Sequence, residues 1–349
     1  MNKRIWIVIP IVIAALCFTF LYLFVMPKHN TLKPQIVVSS MPTTKVVTWY
    51  TSVPLENAQR IANAFQMQTG ISVNIVRDSA LVIKNRLMSE IAAGTKEADV
   101  VAIADIATYI DLKNEGYLMK YDSPQYEYYS PADKDPGYWA VFSAIGICMA
   151  YDETRLDDPP QHWTDLLDSK WKGRIGLEDI NTAGTQYGQY YMLRETLGVD
   201  FWKELLSVQQ PKIYSSTDAV ADALLAGQID VAGEFSINTV SSYKAKRRTI
   251  QGIYPEEGIP LVVTPIAIMN NAVHPAEAKL FLDFLLSQEG QNITQSLSYR
   301  YSVRGDVTPL AGIPSLGSLN VLRPESAEDY RAKMDEYIQE FNSYLGGKQ

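Results

Sequence analysis

From Lys45 onward the apolar positions switch between a period of two and a period near four. KVVTWYTS is β-branched and aromatic, and it predicts a buried strand. PLENAQRIANAFQMQTG follows, with Ala58, Ile61, Ala62 and Phe65 at helical spacing and Gly70 as the stop. ISVNIV reads as a second strand and ALVIKNRLMSEIAAG as a second helix, again ended by a glycine. ADVVAIA and IATYIDLKNEG repeat the pair. Strands and helices in alternation predict βαβ units around a parallel sheet.

The rhythm restarts near Gly146. GICMAYDETRL gives a strand and a turn, and TDLLDSKWKGRIGLED a short helix, a turn and a strand. GTQYGQYYMLRETLG and VDFWKELLSVQ are helices, and DAVADALLAGQIDVAGEF is a helix followed by a strand. PLVVTPIAIMNNA returns to strand character, HPAEAKLFLDFLLSQEG is strongly amphipathic, and ESAEDYRAKMDEYIQEFNSYLGG reads as a surface helix. Two α/β units of similar size predict a cleft between them, with ligand groups just beyond the carboxyl ends of the strands.

Ahead of the first strand, Lys3 and Arg4 precede an uncharged apolar run over residues 5–26. Such a run is long enough to span a bilayer and longer than a signal-peptide core. No small-x-small site follows it closely, and Leu16 before Cys17 is not the small residue of a lipoprotein signal. The expectation is an uncleaved N-terminal transmembrane anchor with the body outside the cytoplasm; cleaved export is the alternative. The predicted organisation is a signal anchor or uncleaved signal peptide at 1–27 and a proline-punctuated linker at 28–43. Lobe 1 begins at 44–145, lobe 2 occupies 146–260, lobe 1 returns at 261–312, and a C-terminal tail with a surface helix fills 313–349.

The chain has 349 residues, which suits two domains, and at 47% hydrophobic and 20% charged it is core-forming. Its net charge of -8 opposes a general nucleic-acid partner but leaves room for a locally positive site. Cys148 stands alone outside the N-terminal run, so no disulfide within the soluble part is expected. His29, His162 and His274 are scattered, and there is no G-x-S-x-G, P-loop, H-E-x-x-H or nucleotide fingerprint. No catalytic residue, cofactor or resident metal is expected.

Three blocks carry a resemblance to a known family. VVTWYTS…AFQMQTGISVNIVRDSA…RLMSEIAAGTKEADVVAIAD resembles the opening lobe of periplasmic solute-binding proteins of ABC importers, in the type 2 branch that binds ferric iron, phosphonates or phosphosugars. TDLLDSKWKGRIGLED is similar to that branch's turn into the second lobe, and YPEEGIPLVVTPIAIMNNAVHPAEAKLFLDFLLSQEGQ to its return. The resemblance spans residues 45–310. It implies an α/β two-lobe clamshell with two crossover strands and the ligand cleft between the lobes. It also implies a periplasmic or extracytoplasmic location, an ABC permease in the cytoplasmic membrane as partner, and no catalysis. The family's iron binders present adjacent tyrosines after the strand that here reads GQIDVA, where this chain has Glu234 and Phe235. Tyr190 and Tyr191 are adjacent but lie inside a predicted helix, where neighbouring side chains diverge by about 100°. A ferric-iron transport protein is the alternative reading, and a membrane-tethered ligand sensor is an alternative of another class.

The favoured ligand is a small anion: an organophosphate, a phosphonate such as 2-aminoethylphosphonate, or a sugar phosphate. LEDINTAGTQYGQYYML, residues 177–193, opens a helix on small and hydroxyl residues. Free N–H groups and partial positive charge at a helix start hold oxyanions, and small residues let them approach. Thr182, Ala183, Gly184 and Thr185 fit that role, as do Ser216 and Thr217, and Thr51 and Ser52. Arg77 offers a bidentate contact beside Ser79. Asp105 and Glu234 are candidates for an ammonium or a hydroxyl, and Phe235 for a ligand wall. Each hydroxyl also has a plainer reading as an ordinary helix cap, and each aromatic as core.

Overall fold

β1 (Val46–Thr51), the strand of the first apolar run, lies between two parallel neighbours and is buried from Trp49 to Thr51. β1 leads through α1 (Leu55–Thr69) to β2 (Ser72–Arg77), then through α2 (Ala80–Ala93) to β3 (Val100–Ala102) and α3 (Ile106–Asn114). β2 pairs with β1 from Val46↔Ser72 to Thr51↔Arg77, and β3 pairs with it from Trp49↔Val100. The computed structural model describes residues 45–346 other than Lys96. The expected anchor at 5–26 and linker at 28–43 lie outside the described residues. Among those described, no helix is long and apolar enough to cross a membrane.

The middle of the sheet departs from the parallel expectation. β4 (Lys134–Asp135) is followed by β5 (Trp139–Asp152), a strand of 14 residues that the polar–apolar pattern does not mark before Gly146. It is buried on both faces along nearly its whole length, which removes the alternation that signals a strand. After β5 come two 3-10 turns, Trp163–Leu167 and Ser169–Trp171, where a short helix was expected. β6 (Ile175–Glu178), α4 (Gly184–Leu197), α5 (Val199–Ser207), β7 (Lys212–Tyr214), α6 (Thr217–Leu225) and β8 (Val231–Ser236) form the second α/β unit. α7 (Ile237–Ala245) and β9 (Ile250–Ile253) lead to β10 (Ile259–Ile268), and α8 (Pro275–Leu286) and α9 (Gln288–Ser298) follow. The chain finishes with β11 (Val321–Leu322), α10 (Ala327–Ala332) and α11 (Met334–Tyr344).

The strand order is β2-β1-β3-β10-β5-β8-β6-β7, parallel on both flanks and antiparallel where β10 and β5 meet their neighbours. The first half of β5 pairs with β10 and its second half with β8 and β9, so one strand belongs to both halves.

The C-terminal segment is not a single surface helix. It is interrupted at Lys333, and Tyr330, Tyr337 and Phe341 are buried. α10 packs on α3 of the first half, whereas α11 packs on α4 and α5 of the second. Tyr190 donates to Glu340 and Tyr191 to Asp329, so the two adjacent hydroxyls diverge onto two different acids. Arg194 grips Glu340 in two places, Nε at 2.7 Å and a terminal nitrogen at 3.0 Å.

Under β1 the first half is held by aromatic packing. The Phe281 ring lies 5.2 Å from Trp49 and 4.9 Å from Phe65, both edge to face, and all three are fully buried. Phe281→Ala removes this hub and is expected to cost about 3–5 kcal/mol in urea unfolding. A loss below ~1 kcal/mol would show that the core closes over the gap.

Candidate functional site

Five helices open onto one cavity of about 260 Å³, α1 among them through its N-cap Pro54. α2 follows β2, and its cap Ser79 accepts the Val82 N–H at 3.4 Å. α6 follows β7, and its cap Ser216 accepts the Ala219 N–H at 3.2 Å. α4 and α7 begin at Ala183 and Ser236 with no side-chain cap; the Ser236 hydroxyl is turned to Thr239 at 2.6 Å. The first N–H groups of α4 and α7 are therefore left for a ligand, and the helix dipole favours an anion there. Gly184 is required at the start of α4: a Cβ at that position would lie 2.4 Å from the Ala104 carbonyl oxygen. That contact joins the two halves directly across the cleft.

Nine of the sequence candidates lie on the cavity wall. Ser52, Arg77 and Ser79 come from the first half; Thr182, Ala183, Gly184, Thr185, Ser216 and Thr217 come from the second. Some of their hydroxyls have local duties as well. Ser52 accepts the Ala104 N–H at 3.0 Å, and Thr182 donates to the Asp179 carbonyl at 3.2 Å.

Four candidates are placed elsewhere. Thr51 is fully buried; its hydroxyl donates to the Ala102 carbonyl at 2.9 Å and accepts the Val53 N–H at 3.1 Å, which ties β1 to β3. Asp105 caps α3, accepting from the Ala107 N–H at 3.1 Å and the Thr108 hydroxyl at 2.6 Å. Phe235 is core, opposite Cys148 on β5. Glu234 is fully buried inside β8. For Thr51 and Phe235 the reason is register: the next residue, Ser52 or Ser236, faces the cavity, and successive side chains point to opposite faces. Glu234 shares a face with Ser236 but lies two residues deeper in β8, where it is fully buried.

The residue that the sequence reading missed is Arg300. It lies just past the C-terminal end of α9, not at a helix start, and it is 7% exposed. Its guanidinium reaches only the Thr264 hydroxyl, at 3.4 Å, and Nε has no partner among the described residues. Burial, with the charge of Arg77 beside it, pulls the guanidinium down to about 10, still cationic at neutral pH. One sequence signal was available: between Glu289 and Asp306 there is no acid to pair with this arginine.

Glu178, also missed, lines the cavity from the end of β6 and is buried. Its carboxylate accepts from Thr185 at 3.2 Å and from Thr217. Burial raises its pKa, and the negative charge of Asp218 adds to the shift. Behind it, Glu234 has no hydrogen-bond partner on either oxygen among the described residues; burial and then the charge of Glu178 push it well above the usual carboxylate range.

Comparison with known proteins places this geometry. Residues 97–313 match the model of the bacterial extracellular solute-binding protein family. Iron uptake protein A1 of Synechocystis sp. is 22% identical over 72% of this chain and 72% of its own length. A putative 2-aminoethylphosphonate-binding periplasmic protein of Salmonella typhimurium is 25% identical over 71% of this chain and 74% of its own. The structure of the periplasmic binding protein AfuA from Actinobacillus pleuropneumoniae, with exogenous fructose-6-phosphate bound, superposes with a TM-score of 0.77. It is 20% identical and covers 87% of this chain and 99% of its own. The architecture is therefore the α/β periplasmic-binding-protein fold, and this chain belongs to the bacterial extracellular solute-binding protein family.

Proposed function

We propose that the protein captures a small oxyanion in this cavity and delivers it to an ABC permease, transforming nothing. The ligand classes that fit are organophosphates, phosphonates and sugar phosphates. The lobes would be 44–145 with 261–312 on one side and 146–260 on the other, closing about β5 and β10 when a ligand bridges them. Residues 5–26 would hold the body to the outer face of the cytoplasmic membrane.

The single observation that carries this reading is Arg300. A buried cation without a carboxylate is costly, and a second arginine beside it adds repulsion. An oxyanion at that point supplies the missing counter-charge, and the uncapped starts of α4 and α7 supply further donors. The cavity volume of about 260 Å³ is the scale of a small solute.

Iron remains the second reading, because relatives such as the Synechocystis protein are named for it. Ferric iron favours several anionic oxygens together. Among the described residues no three His, Cys, Asp or Glu side chains gather to hold a metal ion, and Tyr190 and Tyr191 are engaged by the C-terminal helices.

Two predictions follow from the arginine. Arg300→Met should weaken binding of the preferred phosphonate or phosphate ester at least about 30-fold by calorimetry. The same substitution should raise the unfolding free energy of the ligand-free protein by at least about 1 kcal/mol. Retained affinity with lowered stability would assign Arg300 a structural role. Addition of ferric citrate to the purified protein should give no visible tyrosinate charge-transfer band; a clear band would restore the iron reading.

A further inference from the structure

The side-chain charges on the cavity wall are segregated by half. Arg77, at the end of β2, and Arg300, past α9, are its cations and belong to the first half. Glu178, at the end of β6, and Asp218, in α6, are its acids and belong to the second. The unpartnered polar atoms on the wall follow the same division. Arg300 Nε is a donor without an acceptor, and Asn238 Oδ1, at the start of α7, is an acceptor without a donor.

The hydroxyls sharpen the contrast. Thr185 and Thr217 spend their protons on Glu178, so towards the cavity they offer lone pairs. Two hydroxyl donors also favour the ionised form of Glu178. Two neighbouring buried carboxyls resist carrying two charges; the hydroxyls that donate to Glu178 favour its ionised form, whereas burial, with the charge of Glu178, raises Glu234 well above the usual carboxylate range. A purely anionic ligand would satisfy Arg77, Arg300 and the helix starts but would face Glu178 with like charge.

We infer that the ligand is a zwitterion: a small phosphonate or phosphate ester that also carries an ammonium group. Its anionic end sits against Arg77, Arg300 and the uncapped helix starts. Its ammonium end donates to Glu178 and to Asn238 Oδ1. Such a molecule joins the cationic wall of one half to the acidic wall of the other, so closure is favoured by both of its ends. This deepens the proposed function and rests on it.

The test is calorimetry on the full-length protein with three probes: 2-aminoethylphosphonate, ethylphosphonate and fructose 6-phosphate. The first is expected to bind at least about tenfold more tightly than either of the others, the scale of a hydrogen bond to a charged group. Glu178→Gln, with circular dichroism to verify folding, should cut the preference over ethylphosphonate below about threefold, by weakening the binding of the amine and, with the like charge gone, strengthening that of ethylphosphonate. Asp218→Asn, at an exposed position, should reduce the preference less. Ethylphosphonate or fructose 6-phosphate binding as tightly as the amine in the wild type would overturn the zwitterion inference and leave the oxyanion reading standing. No binding of any of the three would overturn both.

Discussion

The cleft is organised around a positive charge that no carboxylate among the described residues pairs with. Arg300 is buried, leans on one threonine hydroxyl, and stands close enough to Arg77 for each to oppose the other's charge. Elsewhere in the chain, buried or half-buried arginines have acids: Arg304 with Asp306, Arg194 with Glu340, Arg331 with Asp111. Against those three pairs Arg300 stands out, because its charge is not already balanced by a carboxylate in a salt bridge. In the proposed reading, stability and function pull in opposite directions at this position, the usual condition of a binding group.

The fold delivers the rest of the site to that charge. Strands of each half end at the cleft, and helices begin there, so backbone donors arrive from both sides. β5 and β10 run through the middle and tie the halves together, while Gly184 lets the opening of α4 come against the Ala104 carbonyl from the opposite half. The C-terminal helices lean on both halves, with α10 on α3 and α11 on α4 and α5, and the tyrosine pair of α4 is committed to them. Any change in the angle between the halves must move this segment too.

Much of this was legible in the chain. The flanking βαβ units show in the alternation of periods, and the helix openings after strands point to Ser52, Ser79, Thr182–Thr185 and Ser216 because that rule is topological. Other parts left no such mark. The first half of β5 is buried on both faces and lacks alternation, so its pattern is silent. Thr51 and Phe235 miss the cleft because a strand end is known from sequence only to within a residue or so, and one residue reverses the face, whereas Glu234 misses it by depth along β8. Arg300 escaped because it follows a helix instead of opening one. Glu178 escaped because its importance lies in Glu234 behind it and in two threonines distant along the chain, and no local spacing encodes that encounter.

The most direct measurement is a crystal structure of the full-length protein grown with a phosphonate. The account predicts phosphonate oxygens within about 3 Å of Arg300 Nε and of the first N–H groups of α4 or α7. A ligand bound elsewhere, or a carboxylate of the protein itself found against Arg300, would contradict it.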